Sequence, residues 1–240
     1  MSDEELAAQL AESAGQLLMA LRSRGLVAGK ALGEAGDATA NAWLMAALQA
    51  LRPEDGVLSE ERIDDLARLD KRRVWIVDPL DGTKEYSEGR EDWAVHVALS
   101  IDGHAALGAV ALPAQGKTLR SDQPPAPPAR PERPRLLVSR TRPPPECSRL
   151  AERLGAELVP MGSAGAKAMA VVLGQGDIYF HTGGQHQWDN AAPVAVALGA
   201  GLVATRVDGS PCRYNERDTL LPDLLICAPE WEARVRNALL

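Results

Sequence analysis

Leu6, Leu10, Ala14, Leu17, Leu18 and Leu21 recur at three- and four-residue intervals behind an acidic start, Asp3-Glu4-Glu5, and Gly25 ends the series. Side chains so spaced share one helix face, which predicts an amphipathic opening helix. A second helical pattern is predicted from about Ala38 through Trp43, Leu44 and Leu48 to Leu51, with Pro53 as its stop and Asp37 as its candidate N-cap. Val74-Trp75-Ile76-Val77 is instead a short, β-rich apolar run ending in Asp78-Pro79, and proline pushes the residue before it towards extended geometry. It reads as a buried strand that delivers a carboxylate at its end. Trp93 to Ile101 and Ala105 to Leu112 read as a hairpin across the turn signal Asp102-Gly103.

Of the 17 prolines, nine fall between Ser121 and Pro145, and residues 121–134 hold almost no apolar side chain beyond alanine and proline. This stretch is predicted to be a linker or exposed loop between an N-terminal α+β half, residues 1–120, and a C-terminal α/β half, residues 135–240. The second half alternates: strand Arg135–Ser139, helix Glu146–Leu154, a strand near Leu158, helix Ala164–Leu173, strand Ile178–His181, helix Asp189–Leu198, strands Leu202–Thr205 and Leu221–Cys227, and a last helix from Glu230. The pattern predicts helices on an antiparallel sheet followed by a layered α/β half, with no internal repeat.

Composition narrows the partners. The 240 residues are 45% hydrophobic and 25% charged, as in ordinary globular chains, with a formal charge of −7 and no Lys/Arg-rich segment. Polymeric nucleic acid is a poor match for that charge, whereas a small anion held by local cations, metal ions or backbone N–H groups is not. The longest apolar run, Ala191 to Ala204, is too short for a membrane span and is broken by Pro193, Gly199 and Gly201. The acidic N-terminus does not resemble a signal peptide, so a cytoplasmic protein is expected. Cys147, Cys212 and Cys227 match neither a disulfide framework nor a thiolate zinc site, and free thiols are expected.

The candidate chemistry lies in acidic residues set against apolar sequence: Asp37, Glu60-Glu61, Asp78 and Asp81 in Asp78-Pro79-Leu80-Asp81-Gly82-Thr83, and Asp189 after Trp188. Taken singly, Asp37 and Asp189 could be helix caps, Glu60-Glu61 a solvated pair and Asp81-Gly82 a turn. Together they suit a divalent cation, because buried carboxylates are costly without a partner and oxygen-only ligands favour magnesium over zinc. Asp78, the Leu80 carbonyl and Asp81 are spaced to face two ions. Gly82 allows close backbone approach to a phosphate, and Thr83 offers a hydroxyl at the start of the next helical turn.

Trp75 to Thr83, together with Trp188-Asp189-Asn190-Ala191-Ala192-Pro193, resembles the paired signatures of the inositol monophosphatase superfamily of magnesium-dependent, lithium-sensitive phosphatases. Leu58-Ser59-Glu60-Glu61 is similar to its glutamate motif, and Gly36-Asp37 to the position of its water-orienting aspartate. The resemblance runs from about residue 5 to 230. It implies a layered αβαβα sandwich of the sugar-phosphatase type. It also implies two or three magnesium ions, with Glu60, Asp78 and the Leu80 carbonyl on the first and Asp78, Asp81 and Asp189 on the second. Thr83 and Asp37 would orient and deprotonate the attacking water. Substrate would rest against Glu60, Leu80, Asp81, Gly82, Thr83 and Asp189.

Gly162-Ser163-Ala164-Gly165-Ala166-Lys167 resembles a segment of the CysQ-type 3′(2′),5′-bisphosphate nucleotidases within that superfamily. The resemblance implies hydrolysis of the 3′-phosphate of adenosine 3′,5′-bisphosphate, and of its phosphosulfate analogue, in sulfate assimilation. Gly162, Ser163 and Lys167 would then contact substrate, with Lys167 as the cation for a second phosphate. Val138-Ser139-Arg140-Thr141-Arg142 is similar to the superfamily's Ser-Arg segment, placing Ser139 at the site and Arg140 either on the distal phosphate or in solvent. Inositol monophosphate, fructose 1,6-bisphosphate and a non-catalytic phosphate-binding relative are the rival expectations. Homodimer formation is implied by resemblance alone.

Overall fold

A computed structural model describes residues 1–126, 128, 129, 131–141 and 143–239; Pro127 and Arg130 of the Pro-rich stretch, and Arg142, lie outside the described residues. The first half runs α1 (Asp3–Ser23), α2 (Gly29–Leu51), β1 (Gly56–Ser59), β2 (Arg73–Asp81), α3 (Thr83–Ser87), β3 (Ala94–Ile101), β4 (His104–Leu112) and β5 (Lys117–Arg120). The second runs β6 (Arg135–Ser139), α4 (Glu146–Leu154), β7 (Glu157–Met161), α5 (Ala164–Val172), β8 (Ile178–His186), α6 (Gln187–Gly199), β9 (Val203–Thr205), β10 (Leu220–Cys227) and α7 (Pro229–Leu239).

Each half contributes one five-stranded sheet, ordered β1-β2-β3-β4-β5 and β7-β6-β8-β10-β9. Alternation along β2 and β3 divides their side chains between two cores. Trp75, Val77, Val95, Val97 and Leu99 pack with Leu6, Leu10, Leu18, Leu44 and Leu48 of α1 and α2. Val74, Ile76, Ala94 and Ala98 face the other way, into a core built with α5, α6, the second sheet, α4 and α7. The layers are therefore α1/α2, first sheet, α5/α6, second sheet, α4/α7, the αβαβα sandwich that the resemblance implied. The first sheet is mixed rather than antiparallel, because the short β1 pairs parallel to β2. Cys147, Cys212 and Cys227 are free and buried.

The largest departure from the expected elements is at α2. It begins at Gly29, so Asp37 lies inside the helix and is not its N-cap. Gly29, Gly33 and Gly36 give the stretch a loop-like composition, but the last two serve packing. A Cβ at Gly33 would come within 2.7 Å of Thr83 Cγ2, and one at Gly36 within 3.0 Å of Leu80 Cδ2 and Tyr86 Cε1. Only a bare helix face lets α2 approach the Leu80–Tyr86 segment so closely. Asp189 is likewise the third residue of α6 rather than its cap. β2 continues through Asp81 with a register shift between Asp78 and Asp81 that turns both carboxylates towards one end of the sheet.

Further across that sheet, a Cβ at Gly108 of β4 would lie 2.9 Å from Ala192 Cα and 3.0 Å from the Ala192 carbonyl oxygen of α6. Neither backbone can give way, so Gly108→Val is expected to lower stability by about 1–3 kcal/mol. Chemical denaturation checks this, and an unchanged midpoint would contradict the close sheet–helix contact.

Candidate active site

Asp78 and Asp81 reach the site from the bulged end of β2, and Asp189 from the first turn of α6. One oxygen of each lies within 4.8 Å of the others. Glu60, on the turn after β1, belongs to an exposed residue, yet its carboxyl turns inward and shares a hydrogen bond with Asp78. Asp78 Oδ1 also accepts from the Leu80 N–H at 3.0 Å. The Leu80 carbonyl accepts from the Thr83 hydroxyl at 3.2 Å. The same hydroxyl hydrogen-bonds to Asp37, brought in by the glycine face of α2. Six residues named from the sequence, Asp37, Glu60, Asp78, Asp81, Thr83 and Asp189, thus converge from α2, the β1 turn, β2, α3 and α6.

Crowding and burial set their protonation. Asp37 is pushed up to about 7 by burial and by the charge of Glu61, against the opposing hydrogen bond from Thr83. Burial and the charge of Asp189 raise Glu60 to about 7. Burial, Glu60, Asp81 and Asp189 hold Asp78 well above the usual carboxylate range. Burial and Asp81 lift Asp189 to about 6, against the N–H of His186 that donates to it at 2.5 Å.

Asp81 is the exception. Burial alone would raise it, but the His96 imidazole, the Ser163 hydroxyl and the Gly165 N–H together bring it down to about 2. Ala164 N–H donates to its Oδ1 at 3.1 Å, Gly165 N–H to its Oδ2 at 2.6 Å, and Ser163 Oγ also donates to Oδ2. The carboxylate of β2 therefore occupies the start of α5, where unpaired backbone N–H groups favour an anion.

The two cations expected to meet substrate are both held by protein groups. Lys167 is not a solvated helix lysine: it is 5% exposed, lines the cavity beside the carboxylates, and donates to the carbonyls of Gly162 at 2.7 Å and Ser163 at 2.5 Å. Ser163 has a φ of 37°, costly for a residue with a Cβ, and its hydroxyl and carbonyl are both tied down. Lys167 thus pins the loop that supplies donors to Asp81, and burial lowers its ammonium to about 8. Arg140 does not stand in open solvent. It pairs with Asp92 at 2.5 Å and Glu85 at 3.4 Å, while Asp92 also accepts from the Gly162 N–H at 2.6 Å.

Beside the carboxylates lies a cavity of about 310 Å³ lined by Gly82, Thr83, Ser139, Gly162, Ser163 and Lys167, and closed by Thr141, Tyr179, His181 and Gln185. The exposed Lys84 also lines it. Its contact with Glu88, 3.9 Å long and open to water, restrains it little. Sequence reasoning passed over Lys84, Glu85, Asp92, Tyr179, Gln185 and His96. Of these only His96, an ionisable residue in the apolar run Ala94–Leu99 of β3, carried a signal.

The sequence matches the inositol monophosphatase family over residues 2–124 and 132–239. The chain belongs to the inositol monophosphatase family. It is 50% identical to the 3′-phosphoadenosine 5′-phosphate phosphatase of Mycobacterium leprae, over 95% of this chain and 89% of that protein. It is 32% identical to the 3′(2′),5′-bisphosphate nucleotidase CysQ of Escherichia coli, over 78% of this chain and 81% of that protein. The crystal structure of CysQ from Bacteroides thetaiotaomicron superposes with a TM-score of 0.78 at 26% identity, covering 93% of this chain and 96% of that one.

The donor set fits the metal dependence of such a family. Every candidate ligand is an oxygen, several carboxylates are packed too closely to ionise together, and a hard divalent cation is the partner that would let them. The pH dependence follows from the raised groups. Between about pH 4 and pH 7 the folded chain holds protons on Asp37, Glu60 and Asp189 that the unfolded chain has released, so metal-free stability falls as pH rises through that window. Magnesium is therefore expected to raise the thermal midpoint more at pH 7.5 than at pH 5, as differential scanning fluorimetry would read. A larger shift at pH 5 would contradict this electrostatic account.

Proposed function

We propose that this protein is a magnesium-dependent phosphatase that removes the 3′-phosphate of adenosine 3′,5′-bisphosphate by direct attack of water. The observation that carries the reading is the convergence of Asp78, Asp81 and Asp189 beside the Thr83–Asp37 pair, in a chain so similar to a phosphatase of that substrate. Glu60, Asp78 and the Leu80 carbonyl would hold one ion, and Asp78, Asp81 and Asp189 another. Bound there, divalent cations supply Lewis-acid polarisation of the phosphoryl group and make water a better nucleophile.

The remaining work belongs to the chain. With the Leu80 carbonyl given to an ion, the one Thr83 hydroxyl proton would turn from that carbonyl to Asp37, leaving lone pairs with which to receive a proton from water. Asp37, poised at about 7, accepts the proton passed on by Thr83 at neutral pH. Asp81, held ionised by its three donors and the His96 imidazole, keeps a negative charge where a cation would sit. The nucleoside would lie in the neighbouring cavity, against Ser139, Gly162, Ser163, Tyr179 and His181, with Lys84 facing the second phosphate. No helix among the described residues is long and apolar enough to cross a membrane. A cytoplasmic setting, pairing as a homodimer and inhibition by lithium accompany this reading and rest on the family.

Phosphate release from adenosine 3′,5′-bisphosphate is expected to require magnesium and to exceed that from inositol 1-phosphate and fructose 1,6-bisphosphate by tenfold or more, about 1.4 kcal/mol of transition-state discrimination. Lys84→Ala should narrow that preference. Faster turnover of a sugar phosphate would overturn the substrate assignment, and no turnover of any would overturn the enzymatic one. Asp37→Asn is expected to lower kcat by about 10²–10⁴-fold while magnesium binding, followed by calorimetry, persists. An unchanged kcat would remove Asp37 from the proton path.

A further inference from the structure

His96 is wholly buried in β3, directly opposite Asp78 in the β2–β3 ladder and on the same face of the sheet. Its neighbours in that strand, Ala94 and Ala98, point into the same core and are apolar. An imidazole in such a place needs polar partners on both nitrogens. Nδ1 lies 3.1 Å from the carbonyl oxygen of Trp188, the residue before Asp189. Nε2 lies 3.2 Å from Asp81 Oδ2, an ion-pair distance. The contact is one of charge and proximity rather than an aligned hydrogen bond, and among the described residues that nitrogen has no hydrogen-bond partner, so Asp81 is its polar neighbour.

The surroundings are shaped to admit this ring. A Cβ on Gly165, in the first turn of α5, would overlap His96 Nε2, so glycine there leaves the space the imidazole fills. His96 thus stands where β3 and the first turns of α5 and α6 meet, touching one acidic residue and the peptide that carries another. A leucine at this position would leave the Trp188 carbonyl without its imidazole partner and Asp81 Oδ2 without the ring nitrogen beside it.

We propose that His96 is a positioning residue for the metal site, fixing Asp81 against the start of α6 so that the oxygens of Asp81 and Asp189 stand ready for one cation. This rests on the metal-dependent reading above and adds to it a residue that contacts no ion. Hydrogen-bonded partners behind metal ligands set ligand orientation, and their loss commonly weakens metal affinity by about 10–100-fold.

Two amides separate this role from simple core filling. His96→Gln places its amide nitrogen near the position of Nε2 and can still donate to Asp81, whereas His96→Asn places one near Nδ1 and can donate only to Trp188. The experiment is calorimetric titration of the substrate-free protein with manganese, beside its thermal midpoint without metal. Manganese affinity is expected to fall tenfold or more in His96→Asn and to be recovered largely in His96→Gln, whatever the order of their midpoints. Wild-type affinity in folded His96→Asn, or equal losses in both variants, would overturn the proposal. Should His96→Asn not fold, His96→Gln and Gly165→Ala carry the test: wild-type affinity is expected in the first and weakened affinity in the second, and the reverse order would overturn the proposal. Failure of the wild-type protein to bind manganese would instead overturn the metal-dependent reading itself.

Discussion

The carboxylate of Asp81 joins the two halves of the molecule. It leaves the end of β2 in the first sheet and takes its donors from Ser163, Ala164 and Gly165 at the start of α5, in the helical layer between the two sheets. Those contacts require the loop at residues 162–165 to keep an uncommon backbone at Ser163, which Lys167 holds from beneath. Remove that arrangement and the acidic residues would neither share a centre nor face the cavity beside it. The site is therefore a consequence of how the layers close rather than of any one segment.

Such a centre opposes the fold that builds it. Asp37, Glu60, Asp78 and Asp189 are all driven towards their protonated forms by burial and by one another. Only Asp81, surrounded by donors and a histidine, stays firmly ionised. A cation reverses the sign of these interactions, since carboxylates that repel one another attract it jointly. The large apolar cores on both sides of the first sheet supply the stability against which that repulsion is set.

Positive charge near the site is arranged with the same economy. Lys167 and Arg140 are the cations that a search for phosphate ligands would choose, and both are committed to holding protein groups. Lys167 secures two carbonyls and Arg140 spans Asp92 and Glu85, so together they hold the cavity wall at Gly162. Lys84, next to Thr83 and largely in water, is left as the lysine able to move towards a ligand. The two lysines that line the cavity thus differ in freedom, a difference that sequence alone does not reveal.

Local pattern by itself determined the helix and strand identities of most elements, because apolar periodicity is a property of neighbours along the chain. The bounds of β6 and α4 agree with it residue for residue. It also determined the acidic residues, since charge beside apolar sequence is visible without coordinates. It misread α2, whose glycines look like a loop until Thr83, Leu80 and Tyr86 are seen pressed against them. It missed β1 and β5, strands of four residues whose edge positions demand little apolar pattern. Tertiary structure alone decided which charges are free and which are spent, and that His96 touches Asp81. Those facts depend on separations of about three ångströms between residues far apart in the chain, and no spacing along a sequence encodes them.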